Sequence, residues 1–284
     1  LNLELPADPA TLLLEAKSEA PYALKVMKIA VTGKGGTGKT TVAGVLAHCF
    51  NRDGSRVLAV DADPDANLAS ALGVPPNEAA SIMPISRMRD LIRERTGAEP
   101  DRFGQMFKMN PTVADIPDEY AFDLRGIKLL VMGGIRKGGG GCACPENVLV
   151  QSLLSEIMLN RDEVVIVDME AGIEHLGRAT CRAVDKMLIV VEPGQRSIAT
   201  AQAVVRLAKD IGITSFSIVG NKIRSEDEGR WVRSRFPSTP VVGLIPYSEI
   251  ILEADRRQLQ LIDMLDGPLE TEFGKVYEAC RSGP

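Results

Sequence analysis

The chain has 284 residues, 25% of them charged, few aromatics and a formal net charge of −5. That length supports one large α/β core, and the mildly acidic balance argues against a nucleic-acid partner. No apolar run is long enough to span a bilayer as a helix, so no membrane role is expected.

Residues 1–26 read as an N-terminal extension ahead of a domain spanning 27–284. Asp8-Pro9 suits the opening of a short helix through Ala20, with Leu12, Leu13 and Leu14 on its apolar side. The start lacks a basic stretch followed by an apolar one, so it does not read as a secretory signal.

Met27–Thr32 is a short β-rich apolar run that leads into Gly33-Lys34-Gly35-Gly36-Thr37-Gly38-Lys39-Thr40. The octet fits the phosphate-binding loop G-x-x-x-x-G-K-[ST]. Its glycines free the backbone to wrap a polyphosphate with N–H groups. Lys39 is placed to reach the β- and γ-phosphates of ATP, and the Thr40 hydroxyl to hold Mg²⁺. Residues Thr40–Phe50 then carry apolar side chains at helical spacing, starting with Thr40 and Thr41, which puts phosphate at a helix N-terminus. Lys34 is a second lysine that an ordinary phosphate loop does not need. It suggests a charge meant for a partner subunit's nucleotide.

Further strands are expected at 56–60, 127–132, 163–167, 186–191, 215–219 and 240–245, several of them near-continuous apolar runs. Such runs, buried on both faces, are what a parallel sheet requires. Helical patterns lie between them at 147–159, 198–211 and 226–235. The expected fold is therefore α/β: a doubly wound, mostly parallel sheet flanked by helices, with ligands at the carboxyl ends of the strands. Residues 75–126 read as a loop-rich excursion with a basic helical stretch over 86–95. Asp162, Glu163 and Asp255-Arg256-Arg257 read as solvated surface.

Two acidic signatures belong with the loop. Asp61-Ala62-Asp63-Pro64-Asp65-Ala66-Asn67 follows the second strand, placing carboxylates where one can orient water and another can serve Mg²⁺. The alternative is a helix N-cap at Asp63-Pro64. Val164–Val167 followed by Asp168 is a Walker-B pattern, whose carboxylate helps hold Mg²⁺.

Gly138-Gly139-Gly140-Gly141-Cys142-Ala143-Cys144-Pro145 puts two cysteines one residue apart just before a helix start. Two thiolates make half of a soft-metal site, and a twofold-related copy would complete four sulfurs. Zn²⁺, Ni²⁺, Cu⁺ and an iron–sulfur cluster all suit such a set. The helix N-terminus is expected to lower the thiol pKa. Cys49, Cys181 and Cys280 are isolated, Cys49 reading as core. His48 and His175 are too scattered for a metal site. Reduced thiols beside an energy-nucleotide loop point to the cytoplasm.

The Lys34-bearing loop, the acidic segment and the Walker-B strand together resemble the deviant-Walker (SIMIBI-type) P-loop ATPases. That superfamily includes the nitrogenase iron protein and the MinD and ParA septum-site and partition ATPases. The resemblance runs through everything after Met27. It implies a sandwich homodimer with Lys34 crossing to the partner's phosphates and Asp63 activating water. It also implies that Asn221 reads adenine and that the loop around Pro246 makes a second base contact. With the C-x-C motif and Glu170-Ala171-Gly172-Ile173-Glu174-His175-Leu176-Gly177-Arg178, the chain is similar to the carbon monoxide dehydrogenase maturation ATPases, the CooC family. That resemblance implies an ATP-dependent metallochaperone. It would carry nickel on Cys142 and Cys144 to carbon monoxide dehydrogenase or acetyl-CoA synthase. A partition-type ATPase, an iron–sulfur carrier and a nucleotide-gated metal store are the competing readings.

Overall fold

A computed structural model describes residues 26–100, 102, 104–133, 144–171, 180 and 182–282. Residues 1–25, most of the expected extension, lie outside the described residues, as do Cys142, His175 and Cys181. The elements are β1 (Met27–Gly33), α1 (Lys39–Arg52), β2 (Val57–Asp61), α2 (Leu68–Ala71), α3 (Pro76–Ala79) and α4 (Arg89–Thr96). They continue with α5 (Ile116–Tyr120), β3 (Phe122–Leu124), β4 (Ile127–Val131), α6 (Pro145–Asn160), β5 (Val164–Glu170) and β6 (Lys186–Val191). The last are α7 (Gln195–Asp210), β7 (Phe216–Ile223), α8 (Glu226–Ser234), β8 (Val241–Pro246), α9 (Glu249–Arg257) and α10 (Gly267–Arg281).

The strands form one eight-stranded sheet in the order β3-β4-β2-β5-β1-β6-β7-β8. Every pairing is parallel except β3 with β4 at one edge. Side chains alternate between two cores, as period-2 strands dictate. Ile29, Val31, Val164 and Ile166 pack with Phe50 of α1 and Phe273 of α10. Ala30, Val165 and Val167 face Ile92 of α4, Leu153 of α6, Ile198 of α7 and Val232 of α8. β1 lies between β5 and β6, so the loop leaving it opens at the carboxyl edge, beside the ends of both neighbours. Among the described residues no helix is long and apolar enough to cross a membrane.

The expected strands recur with shifted ends; β7, for example, runs on to Ile223. The helix expected over 86–95 is instead a 3₁₀ turn, Ile85–Arg87, followed by α4 from Arg89. Pro84 sits just before that turn in extended backbone, and Met88 is non-helical, which separates the two pieces. The short edge strand β3 and helices α9 and α10 were not anticipated. Glu163 corrects the solvated-surface reading, being only 4% exposed and bonded to Arg161 Nε at 2.7 Å. Its backbone neighbourhood also holds Lys28, whose ammonium donates to the carbonyls of Arg161 and Glu163. Burial lowers the Lys28 pKa against the pull of Glu163 and Asp185.

Candidate functional site

The loop at Gly33–Thr40 closes on itself first. The Thr37 N–H and hydroxyl both donate to the Lys34 carbonyl, at 3.1 and 2.9 Å. Gly36 and Gly38 have φ of 83° and 89°, left-handed values that favour glycine. A Cβ at Gly38 would also lie 2.2 Å from the Asn221 amide nitrogen, so the close approach there needs glycine as well. α1 starts immediately after, at Lys39, and no side chain caps it, so the first N–H groups of the helix, unpaired within it, lie at the loop.

Carboxylates from two parallel strands converge on this loop. Asp61 ends β2 and is in register with Asp168 on β5, and both are fully buried. Asp63 Oδ2 sits 2.6 Å from Lys39 Nζ. Burial disfavours the charged Lys39, but the Asp63 hydrogen bond and the charges of Asp168, Asp63 and Glu170 outweigh it and raise the pKa. Asp61 accepts from the N–H groups of Leu68 (2.8 Å) and Asp63 (3.2 Å), tying down the turn between β2 and α2. Burial lifts its pKa to about 6 despite those bonds.

Burial likewise pushes Asp168 up to about 7, against the lowering pull of the Thr40 hydroxyl and of Lys39. Neither Asp168 oxygen has a hydrogen-bond partner of good geometry. Two orphaned, buried carboxylate oxygens beside a P-loop threonine fit a hard cation such as Mg²⁺. Among the described residues no three His, Cys, Asp or Glu side chains form a ready-made metal cage.

A cavity of about 420 Å³ opens beside the loop, lined by Gly38, Thr40, Thr41, Asn67, Asn221 and Pro246, with Ile251 and Leu252 of α9 on its apolar side. Its size and lining suit a purine base and ribose extending from phosphates on the loop.

Comparison with known proteins agrees. Residues 28–262 match the CobQ/CobB/MinD/ParA nucleotide binding domain. The chain belongs to that family. It is 48% identical to the carbon monoxide dehydrogenase accessory protein CooC of Rhodospirillum rubrum, over 84% of this chain and 90% of that one. Within the family it is therefore placed with the CooC proteins. The fold is shared with a ParA family ATPase from Chlorobium tepidum (TM-score 0.64, 18% identity, 90% of this chain and 99% of that one). It is shared too with the septum-site protein MinD of Pyrococcus horikoshii complexed with Mg-ADP (TM-score 0.62, 18% identity, 89% and 95%).

In this CooC-family chain Lys39, Thr40, Asp63 and Asp168 come together as one cluster. Thr41, Asn221 and Pro246 line the adjoining cavity. Lys34 is partly exposed and makes no ion pair among the described residues. Asp63-Pro64 does not cap a helix: α2 begins only at Leu68, after Asn67, and it is Asp61 that accepts the Leu68 N–H. Cys144 is half-buried at the N-cap of α6, with Pro145 opening the helix. Its thiol corrects the expectation of a lowered pKa. Burial raises it, and Glu146 adds to that, while the Asn147 N–H pulls the other way too weakly. Cys49 packs against the α1 core, where burial pushes its thiol up to about 12. His48 bonds the Leu72 carbonyl at 3.1 Å, a structural role.

Two contributors had no individual role in the sequence reading. Asp61 is visible there as the strand-terminal residue of an acidic turn, and a strand-end Asp two residues before another is a usable signal. Lys222 gives no such signal, because its partner Gly36 is 186 residues away.

Proposed function

We propose that this protein is an ATP-driven metallochaperone that carries nickel on Cys142 and Cys144 and delivers it to carbon monoxide dehydrogenase or acetyl-CoA synthase. The observation that carries the reading is a backbone bond. The Met132 N–H, at the end of β4, donates to the Asp61 carbonyl at 2.8 Å. From Gly133 the chain runs on toward the cysteine motif, while Asp61 holds the turn that bears Asp63. A shift at the nucleotide-side turn is thus tied to the end of β4, and in sequence Cys142 follows Gly133 by nine residues. The 48% identity to an accessory protein of carbon monoxide dehydrogenase supports the client.

The residues act in sequence. Before nucleotide binds, Lys39 is held by Asp63. The γ-phosphate of ATP competes for the Lys39 ammonium and frees Asp63 to orient the attacking water. Thr40 and Asp168 would hold Mg²⁺, which when bound neutralises charge on the β- and γ-phosphates. Lys34 supplies its charge to the nucleotide of a second copy, so the working form is a cytoplasmic homodimer. Cysteines from both copies then bind one metal, and its affinity must differ between nucleotide states for ATP to drive transfer.

The test is anaerobic Ni²⁺ and Zn²⁺ binding to wild type and to the Cys142→Ala/Cys144→Ala protein, with no nucleotide, with ADP and with a non-hydrolysable ATP analogue. The expected result is about one metal per two chains, lost in the double variant and altered several-fold by nucleotide. Binding that ignores the cysteines, or that is identical in every nucleotide state, overturns the reading.

A further inference from the structure

The phosphate loop is gripped from outside by two consecutive residues of β7. Gly220 pairs with Leu244 and Ile223 with Pro246, so β7 places Asn221 and Lys222 opposite the single residue Ile245. This is a β-bulge, a device that re-aims side chains beside a site. Lys222 has φ 59°, a left-handed conformation unfavourable for a residue with a side chain. A strained residue held in place at a site invites a functional explanation.

The bulge turns both side chains onto the loop. Asn221, 5% exposed, donates from Nδ2 to the Thr37 carbonyl at 2.8 Å, while its Oδ1 accepts the Lys222 N–H at 2.9 Å. The Lys222 ammonium donates to the Gly36 carbonyl at 2.5 Å and lies 3.5 Å from Glu192 Oε2, just past β6. A cradle that turns N–H groups toward phosphate must turn the carbonyls of the same peptide planes away. Those outward carbonyls need partners. Asn221 holds the plane that carries the Gly38 N–H. Lys222 holds the plane that carries the Thr37 N–H and so fixes the Lys34–Thr37 turn. Packing does not do this job: a Cβ at Gly35 or Gly36 would meet nothing within 4 Å.

We infer that Lys222 is a positioning residue for nucleotide binding: its ammonium, braced by Glu192, holds the Gly36 carbonyl outward and keeps the loop in its phosphate-binding shape. The inference rests on the ATP-site reading above. It also assigns Asn221 a tethering role besides any contact with the base.

The experiment measures fluorescent ADP and ATP-analogue binding, with steady-state hydrolysis, for wild type, Lys222→Met, Lys222→Gly, Lys222→Arg and Glu192→Gln, and for Lys39→Ala as the control. A charge-assisted hydrogen bond of this kind corresponds to roughly a 10-fold or larger loss of affinity. Lys222→Met and Lys222→Gly should both show it for ADP and ATP analogue alike. KM should rise more than kcat falls, and the melting temperature should stay near wild type. Lys222→Arg should recover most of the affinity, and Glu192→Gln should lose only about 2–3-fold. The glycine variant relieves the backbone strain while deleting the ammonium. If it binds like wild type, the ammonium is not the agent and the inference fails, even if Lys222→Met proves unstable. Wild-type binding with unaffected Lys222 variants overturns this inference alone. A wild type that, like Lys39→Ala, binds neither nucleotide overturns the ATP reading and this inference with it.

Discussion

Asp61, at the end of β2, and Asp168, in register with it on β5, have both carboxylates sealed from water and within reach of each other's charge. Burial raises both pKa values, to about 6 and about 7, and the Asp61 charge adds to the rise at Asp168. A carboxylate whose folded pKa lies above its unfolded value of about 3.9 binds its proton more tightly in the native state. Its contribution to stability is fully present below that unfolded value and is lost as pH rises through about 7. Asparagine mimics the protonated form and does not titrate. Asp168→Asn should therefore melt at least ~3 °C above wild type at pH 8 without nucleotide or Mg²⁺, and the gap should narrow at pH 5.5. Thermal melts of both proteins across that range check the sign. Adding Mg-ADP should reverse the order at pH 8, because only the wild type gains a bound cation. A gap that stays constant from pH 8 to pH 5.5, or an Asp168→Asn variant that melts below wild type at pH 8, would mean that Asp168 is ionised without penalty in the native state.

At the scale of elements, the site depends on how β8 and α10 close one end of the sheet. Gly243 lets α10 approach: a Cβ there would lie 2.6 Å from Val276 Cγ2 and 3.3 Å from the Glu272 carbonyl. Glu272 in turn accepts the Leu244 N–H at 2.6 Å. Gly243→Ala should force α10 outward and cost about 1–3 kcal/mol, read as a lower denaturant midpoint with an unchanged slope. The wall carrying Pro246 would loosen with it. The strand over 240–245 was legible in the sequence, but the helix α10 that packs on it was not, and the reasons are physical. β1, β5 and β6 are buried on both faces, so their apolar runs stand out. β8 is half-covered and alternates weakly, and α10 mixes Glu270, Thr271 and Lys275 with its buried Leu269, Phe273 and Val276. β3 is only three residues long. Glu163 read as solvent because one of its neighbours comes from far away in sequence: Lys28 of β1 donates to its carbonyl across 135 residues, which only the pairing of β5 with β1 brings about.

Over the whole molecule, local chemistry was readable and long-range chemistry was not. Gly33–Thr40, Asp63 and Asp168 announce themselves by spacing. The Lys39–Asp63 ion pair and the Asn221–Thr37 bond, 184 residues apart in sequence, exist only once β1, β2 and β7 share a sheet. The same logic points outward at Lys34. Lys39 is spoken for by Asp63 and Lys222 by Gly36 and Glu192, whereas Lys34 has no ion-pair partner among the described residues, at a partly exposed position on the loop's rim. In the proposed homodimer this lysine is the one that serves a second nucleotide-bound copy. Lys34→Ala should then bind ADP and ATP analogue as a monomer within about 3-fold of wild type, because its own phosphates are served by Lys39. Its dimerisation with ATP analogue and Mg²⁺, followed by sedimentation, should be lost. Hydrolysis should fall by at least ~100-fold, in the manner of a charge supplied in trans. Mixing Lys34→Ala with a Lys39→Ala partner adds a sharper reading. In that heterodimer the Lys34→Ala copy keeps an intact loop, and its partner keeps the crossing lysine, so one of the two sites is complete and partial activity should return. If Lys34→Ala alone dimerises and turns over ATP at the wild-type rate, the lysine serves its own loop, and a two-subunit active site is the wrong description of this chain.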